Sequence, residues 1–215
     1  MESKAQDDDG RSGLGRKRRA KTRAAIIAAA FEIFGDENGL YARIEDIVAK
    51  AGVTRATFYN HFTGMPDLRE ALTHEVTHGF LEAVTQAIAQ IPDARERSAA
   101  AVRFYLRRAR GDRRWAWSMM NMSASGRIFG SDTYQQAERT IREGIEEGVL
   151  DIPSSTLGRD ILLGASLAAM GSIVRDSSAE NYPEAVAGYI LCGLGVEREE
   201  ARRIAHLPLP ELGPH

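Results

Sequence analysis

The chain of 215 residues reads as all-α. Apolar residues recur at three- and four-residue intervals in segment after segment, and no run shows the two-residue alternation of a half-buried strand. A glycine-centred link between two short helical stretches near residue 52 adds a third observation. Together they predict an N-terminal three-helix unit over 17–65, joined by a long helix to a larger helical part over 66–215.

Residues 1–16 are polar, with Asp7-Asp8-Asp9 and glycines at 10, 13 and 15. Such a composition buries little apolar surface, so a disordered tail is expected. The basic run Arg16-Lys17-Arg18-Arg19, with Lys21 and Arg23, leads into an amphipathic helix with Ile26, Ile27, Ala30, Phe31 and Phe34 on its inner face. Gly35 and Gly39 end it. A short helix over 44–51 turns Ile44, Ile47, Val48 and Ala51 to one side, and Gly52 breaks it. Thr54 suits the N-cap of the next helix, which runs to about residue 60 and is anchored by Phe58 and Phe62. Pro66 suits a first turn. From there Leu68, Leu72, Val76, Phe80, Val84, Ile88 and Ile91 predict one long helix over 66–91, stopped by Pro92. Further helices are expected over 93–110, 112–125, 133–147 (capped by Asp132 and ended by Gly148), 156–176, 183–194 and 197–206.

Composition is that of an ordinary globular protein, 43% hydrophobic and 27% charged. Cys192 is the single cysteine, which excludes an internal disulfide and favours a reducing compartment. No apolar run approaches the roughly 18 residues of a membrane span, and the N-terminus lacks the apolar core of a signal peptide. A cytoplasmic location with no membrane partner and no cofactor is therefore expected. The net charge of −2 conceals an asymmetry: residues 11–65 carry ten Lys/Arg against five Asp/Glu. A basic N-terminal quarter on an otherwise acidic chain points to a polyanionic partner or to a solvated tail.

The segment from Ile44 to Phe62 decides between them. Two short helices about a tight turn let the second lie in the major groove of double-stranded DNA while the first braces it. Thr54, Arg55, Ala56 and Thr57 are free to point outward from the second. Arg55 can pair with guanine edges, and Ala56 and the Thr57 methyl can touch thymine. Tyr59, Asn60 and His61 suit phosphate oxygens.

The stretch Asp46 to Phe62, "D-I-V-A-K-A-G-V-T-R-A-T-F-Y-N-H-F", resembles the TetR family of bacterial transcription regulators nearly residue for residue. The preceding Phe31, Phe34 and Gly39 match too, and "G-L-G-V-E-R-E-E-A-R-R-I-A" (Gly193 to Ala205) is similar to the tail of many members. The resemblance implies a homodimer with a C-terminal ligand and dimerisation domain, and repression relieved by a small-molecule effector. It implies DNA contacts from Arg43, Thr54, Arg55, Ala56, Thr57, Tyr59, Asn60 and His61. The chain departs from the family in two places: Ala42-Arg43 stands where Thr or Ser often caps the second helix, and Gly64-Met65 where a Lys is common.

For the effector, Trp115-Ala116-Trp117-Ser118-Met119-Met120-Asn121-Met122 is the densest unusual stretch. With Phe104, Tyr105, Phe129 and Tyr134 nearby in sequence it offers either an adaptable apolar pocket or plain core. The pocket reading takes Phe104, Trp115, Trp117, Met119, Met120, Met122, Phe129 and Tyr134 as lining, with Ser118, Asn121 and Ser123 as orienting hydrogen-bonders. Small residues along 156–176 (Gly164, Ala165, Ala168, Ala169, Gly171) and 183–194 suit close helix approach at a dimer interface or within one chain. The arginines at 107, 108, 110, 113 and 114 are expected on a solvated face paired with Glu143, Glu146 and Glu147.

His74-Glu75-Val76-Thr77-His78 is a literal H-E-x-x-H, which on a helix can hold zinc with the Glu as general base. No G-x-x-H continuation follows, and Val76 sits on the apolar stripe. A zinc metalloprotease is thus a minor alternative, as is a DNA-binding regulator without an effector, and no metal is assigned.

Overall fold

The computed structural model describes residues 3–123, 129–175 and 179–213, with side chains from residue 13 onward. The described residues are helical throughout, with no strand. In chain order the helices are α1 (Ser3–Phe34), a 3-10 turn (Gly39–Tyr41), α2 (Ile44–Ala51), α3 (Arg55–Tyr59), α4 (Met65–Ile88), α5 (Ala94–Gly111), α6 (Arg113–Met122), α7 (Gly130–Glu146), α8 (Ser155–Arg175), α9 (Tyr182–Gly193) and α10 (Arg198–Ala205).

Helix α1 begins at Ser3, so the disordered tail expected over 1–16 gives way to helix. Propagating a helix costs far less than nucleating one, and Ile26, Ile27, Ala30 and Phe34 fix the far end in the core. No proline interrupts the segment. Helix α7 starts at Gly130 rather than residue 133, and Asp132 lies in its first turn instead of capping it. The left-handed Phe129 (φ 61°) and Gly130 (φ 86°) let the chain turn into the helix early. A Cβ at Gly130 would meet Thr73 Cγ2 at 2.5 Å, so α7 begins hard against α4.

Helix α5 is the centre, touching α4, α6, α7, α8, α9 and α10. Its Val102, Leu106 and Ala109 are buried, and so is Arg103. The Arg103 Nε donates to Glu184 Oε1 (3.1 Å) and one guanidinium nitrogen donates to the Leu207 carbonyl (2.6 Å). Arg107 donates to the same carboxylate at 2.8 Å. The expected solvated arginine face is thus partly a structural one. Its ties run to α9 and its approach rather than to α7, since Arg110 donates to the Glu180 and Ala179 carbonyls. Glu143 is instead taken by Arg97 at 2.7 Å.

Helix α8 is long and apolar enough to span a membrane by length and composition, with a mean hydropathy of 1.4. That exceeds what the sequence led us to expect. More than half of this stretch is buried, however, against α5, α7 and α9.

Candidate DNA-binding surface and ligand cavity

The turn between α2 and α3 is built as the sequence requires. Gly52 closes α2 in the left-handed region (φ 65°), where only glycine is unstrained. A Cβ there would meet nothing, so the constraint is conformational, not steric. Thr54 caps α3 by accepting from the Thr57 amide at 3.1 Å. At the start of α2 the usual cap is replaced: the Arg43 amide donates to Asp46 Oδ2 at 2.8 Å. An arginine side chain has no acceptor, so only this half of a capping box forms, and the Arg43 guanidinium is left exposed. Met65, where the family often has Lys, packs against the core.

Thr54, Arg55, Ala56, Tyr59 and Asn60 are exposed, while Thr57 and His61 are half-buried. All flank one short helix whose buried Phe58 fixes its roll. Arg55 is not idle. It donates to Glu45 Oε1 of α2 at 2.6 Å, and Tyr59 and Glu45 together raise its pKa. Both partners are more than half exposed, so water screens the pair and it holds Arg55 only weakly.

The basic run of α1 lies beside this surface. Arg19 donates to the Asn60 carbonyl at 3.0 Å, and the Arg23 guanidinium sits 5.2 Å over the Phe62 ring. Burial, then the charges of Arg19 and Arg23, lower the His61 pKa, so its imidazole is neutral near pH 7. The Arg19 bond to α3 was not legible in the sequence, where the run had only its charge to speak for it.

The three-helix unit is fastened to the rest at the end of α1. Asn121 of α6 is buried, and its amide nitrogen donates to the Phe34 and Asp36 carbonyls, each at 2.8 Å. These are C-terminal carbonyls with no intrahelical partner. From α4, Arg69 lies over the Phe34 ring at 5.3 Å. A Cβ at Gly39 would meet the Ile33 carbonyl oxygen at 2.5 Å and Asn121 Nδ2 at 2.9 Å, so this glycine is what permits the close approach.

The stretch from Trp115 to Met122 serves mainly as core. Trp115 packs edge-on against Phe80 and near Tyr105, and its indole N–H has no partner among the described residues. Trp117 lies under Arg175, Met120 reaches Gly171, and the Met122 sulfur lies 3.6 Å from the Thr73 hydroxyl oxygen. Phe104 and Met119 are buried, and Tyr134 lies beneath the Arg159 guanidinium at 3.7 Å. Ser118 and Ser123 donate to the Trp115 and Met119 carbonyls, which spends them on their own helix.

The apolar cavity lies one layer away and has a volume of about 50 Å3. Leu81, Val84 and Ile88 of α4 form one wall, Ala101, Val102 and Tyr105 of α5 another. Phe129, Thr133 and Ala137 at and within α7, with Leu162 and Ser166 of α8, close it. Of the eight residues that sequence reasoning offered, only Phe129 lines it. The cavity is assembled from single side chains on four helices, and that convergence has no signature in sequence. Among its polar lining residues Tyr105 has its hydroxyl hydrogen-bonded to Thr133 Oγ1 at 3.1 Å and pushed up to a pKa of about 12 by burial.

Comparisons with known proteins bear on both regions. Residues 26–72 match the family model described as bacterial regulatory proteins, tetR family, and residues 93–207 match that of the tetracyclin repressor-like C-terminal domain. The transcriptional activator FasR of Mycolicibacterium smegmatis is 31% identical over 84 residues, 39% of this chain and 38% of FasR. The chain is thus matched over little more than a third of that relative's length. The crystal structure of RolR in complex with resorcinol superposes with a TM-score of 0.75 at 27% identity, covering 92% of this chain and all of the other. FadR of Bacillus subtilis, in complex with stearoyl-CoA, shares the fold at a TM-score of 0.61 and 20% identity, over 79% of this chain and 98% of FadR. The second model alone covers more than half of the sequence, and with the first it leaves no other assignment: the chain belongs to the tetR family of bacterial regulatory proteins.

Proposed function

We propose that the chain is a homodimeric repressor that reads a palindromic operator with α3 and releases it when a small aromatic ligand occupies the cavity. The observation that carries this reading is that one cavity wall is α4, the helix that leads directly from the recognition unit. At about 50 Å3 the cavity is about a third of the size of an engineered 150 Å3 cavity that takes benzene. A ligand therefore has to part the walls, and moving α4 moves α3. The 27% identity to a resorcinol-binding regulator over nearly the whole chain supports a small phenol, which the Tyr105–Thr133 pair suits.

A dimer is supported by an open side of the molecule. Leu157, Gly164 and Ala168 on α8 and Ala185 and Tyr189 on α9 recur at helical spacing, and Leu157 and Tyr189 are 45% and 70% exposed. A second copy covering this side would set two α3 helices for successive major grooves. The H-E-x-x-H segment favours no protease: Glu75 lines a groove against Ala20 and Ala24 of α1, away from the opening where His74 lies with α7.

The DNA reading is tested with a duplex selected from random sequence. Arg55→Ala is expected to weaken binding about 5- to 150-fold (1–3 kcal/mol), and unequally across sequence variants. Tyr59→Phe is expected to weaken all of them alike. Unchanged binding by both variants would place recognition elsewhere.

A further inference from the structure

We propose that His74, His78 and Asp132 form a divalent metal site that ties α4 to the first turn of α7. His74 and His78 stand one helical turn apart with their rings parallel, centroids 4.7 Å apart and 14° between planes. Asp132 reaches them from the other helix, and one ligand atom from each of the three lies within 4.8 Å of the others. In a tetrahedral zinc site, bond lengths of about 2.0–2.2 Å place ligand atoms roughly 3.3–3.5 Å apart. The contraction needed is a rotamer adjustment, and all three side chains are exposed and free to make it.

The backbone has already converged. Gly130 seats the start of α7 against Thr73, the residue before His74. That packing brings a carboxylate from one helix over an imidazole pair on another, which neither segment foretells in sequence. The neighbouring groups suit the site. Ser131 donates to Asp132 Oδ1 at 3.3 Å, and the His78 Nε2 lies 3.4 Å from Glu82 Oε1, leaving its other ring nitrogen for a metal. A carboxylate on the far ring nitrogen is the usual orienting partner of a metal-bound histidine. Two imidazoles and one carboxylate favour Zn2+, Ni2+ or Co2+ over Ca2+ or Mg2+, which take oxygen ligands. With three protein ligands, a fourth position is left to water. Because Glu75 lines the opposite groove, the site is a clamp and has no general base in place.

The clamp would act on the cavity wall. Phe129 and Thr133 line the cavity from the turn that carries Asp132 on its outer side. A metal held across α4 and α7 fixes the separation of two of the four cavity walls.

The test uses the full chain, stripped of metal and titrated with Zn2+ by calorimetry, with Co2+ absorption as a second readout. One ion per chain is expected. His78→Ala and Asp132→Ala should each weaken binding about tenfold or more. Zn2+ should raise the melting temperature of the wild type but not of Asp132→Ala. Because all three residues are exposed, the variants' circular dichroism should match that of the wild type, and their Co2+ spectra should lose the tetrahedral band. Absence of stoichiometric binding overturns the site. Binding unchanged in Asp132→Ala overturns the clamp, since the ion would then rest on α4 alone.

Discussion

Replacing Arg103 with Met is expected to destabilise the protein by about 3–5 kcal/mol, the range for breaking one side of a buried ion pair. The side chains of Arg103 and Glu184 are only 6% and 9% exposed. Removing the arginine leaves Glu184 with Arg107 alone, whose own side chain is half exposed and loses its ordering when unpaired. It also orphans the Leu207 carbonyl, which ties the chain after α10 to α5. Burial alone would push the Glu184 carboxyl up, but the hydrogen bonds from Arg107 and Arg103 outweigh it and hold it below its ordinary 4.5. Burial lowers the pKa of Arg103 itself, yet a guanidinium remains charged throughout the working range. The stabilisation from Glu184 is therefore complete above the ordinary carboxylate range and is lost as pH falls through its lowered folded value. Urea midpoints at fixed protein concentration measure this: the gap between wild type and Arg103→Met should be full at pH 7 and should narrow in acid.

Asn121→Leu is expected to cost about 2–4 kcal/mol. Leucine matches asparagine closely in shape, so packing changes little, but the Phe34 and Asp36 carbonyls lose their donor. An unsatisfied buried acceptor costs about 1–3 kcal/mol, and the Asp36 carbonyl, only partly buried, costs less. The effect should be local as well as global. Amide exchange in the segment 35–43 should quicken beyond what the loss of overall stability explains, because this bond fastens the end of α1 to α6. Equal slowing or quickening throughout the chain would remove the fastening role from Asn121.

The helices and the recognition unit were legible because local physics makes them. The spacing of Ile44, Ile47 and Val48, the left-handed turn at Gly52 and the Thr54 cap are short-range features, and each stands where the sequence put it. What failed depended on distant residues. Trp115 and Met119 looked like pocket because large apolar side chains read the same in core and in cavity. Here Trp115 packs against Phe80 and Tyr105, and Met119 is buried. Asn121 looked like a ligand contact, yet its amide caps a helix 87 residues earlier in the chain. Asp132 looked like a cap until Phe129 and Gly130 started the helix three residues sooner. The His74–His78 pair was visible as a motif. Its third partner emerged only when α7 was seen to begin against Thr73.

The proposed function turns on one coupling, in which occupancy of the cavity decides whether α3 holds DNA. Fluorescence anisotropy of a selected operator duplex, titrated with resorcinol, measures it directly. Resorcinol should release the duplex from the wild type. It should fail to release it from Ala101→Val, whose added methyl groups occupy part of the cavity while α3 is untouched. Retention of the duplex by the wild type at saturating resorcinol, or equal release from both proteins, would contradict the coupling.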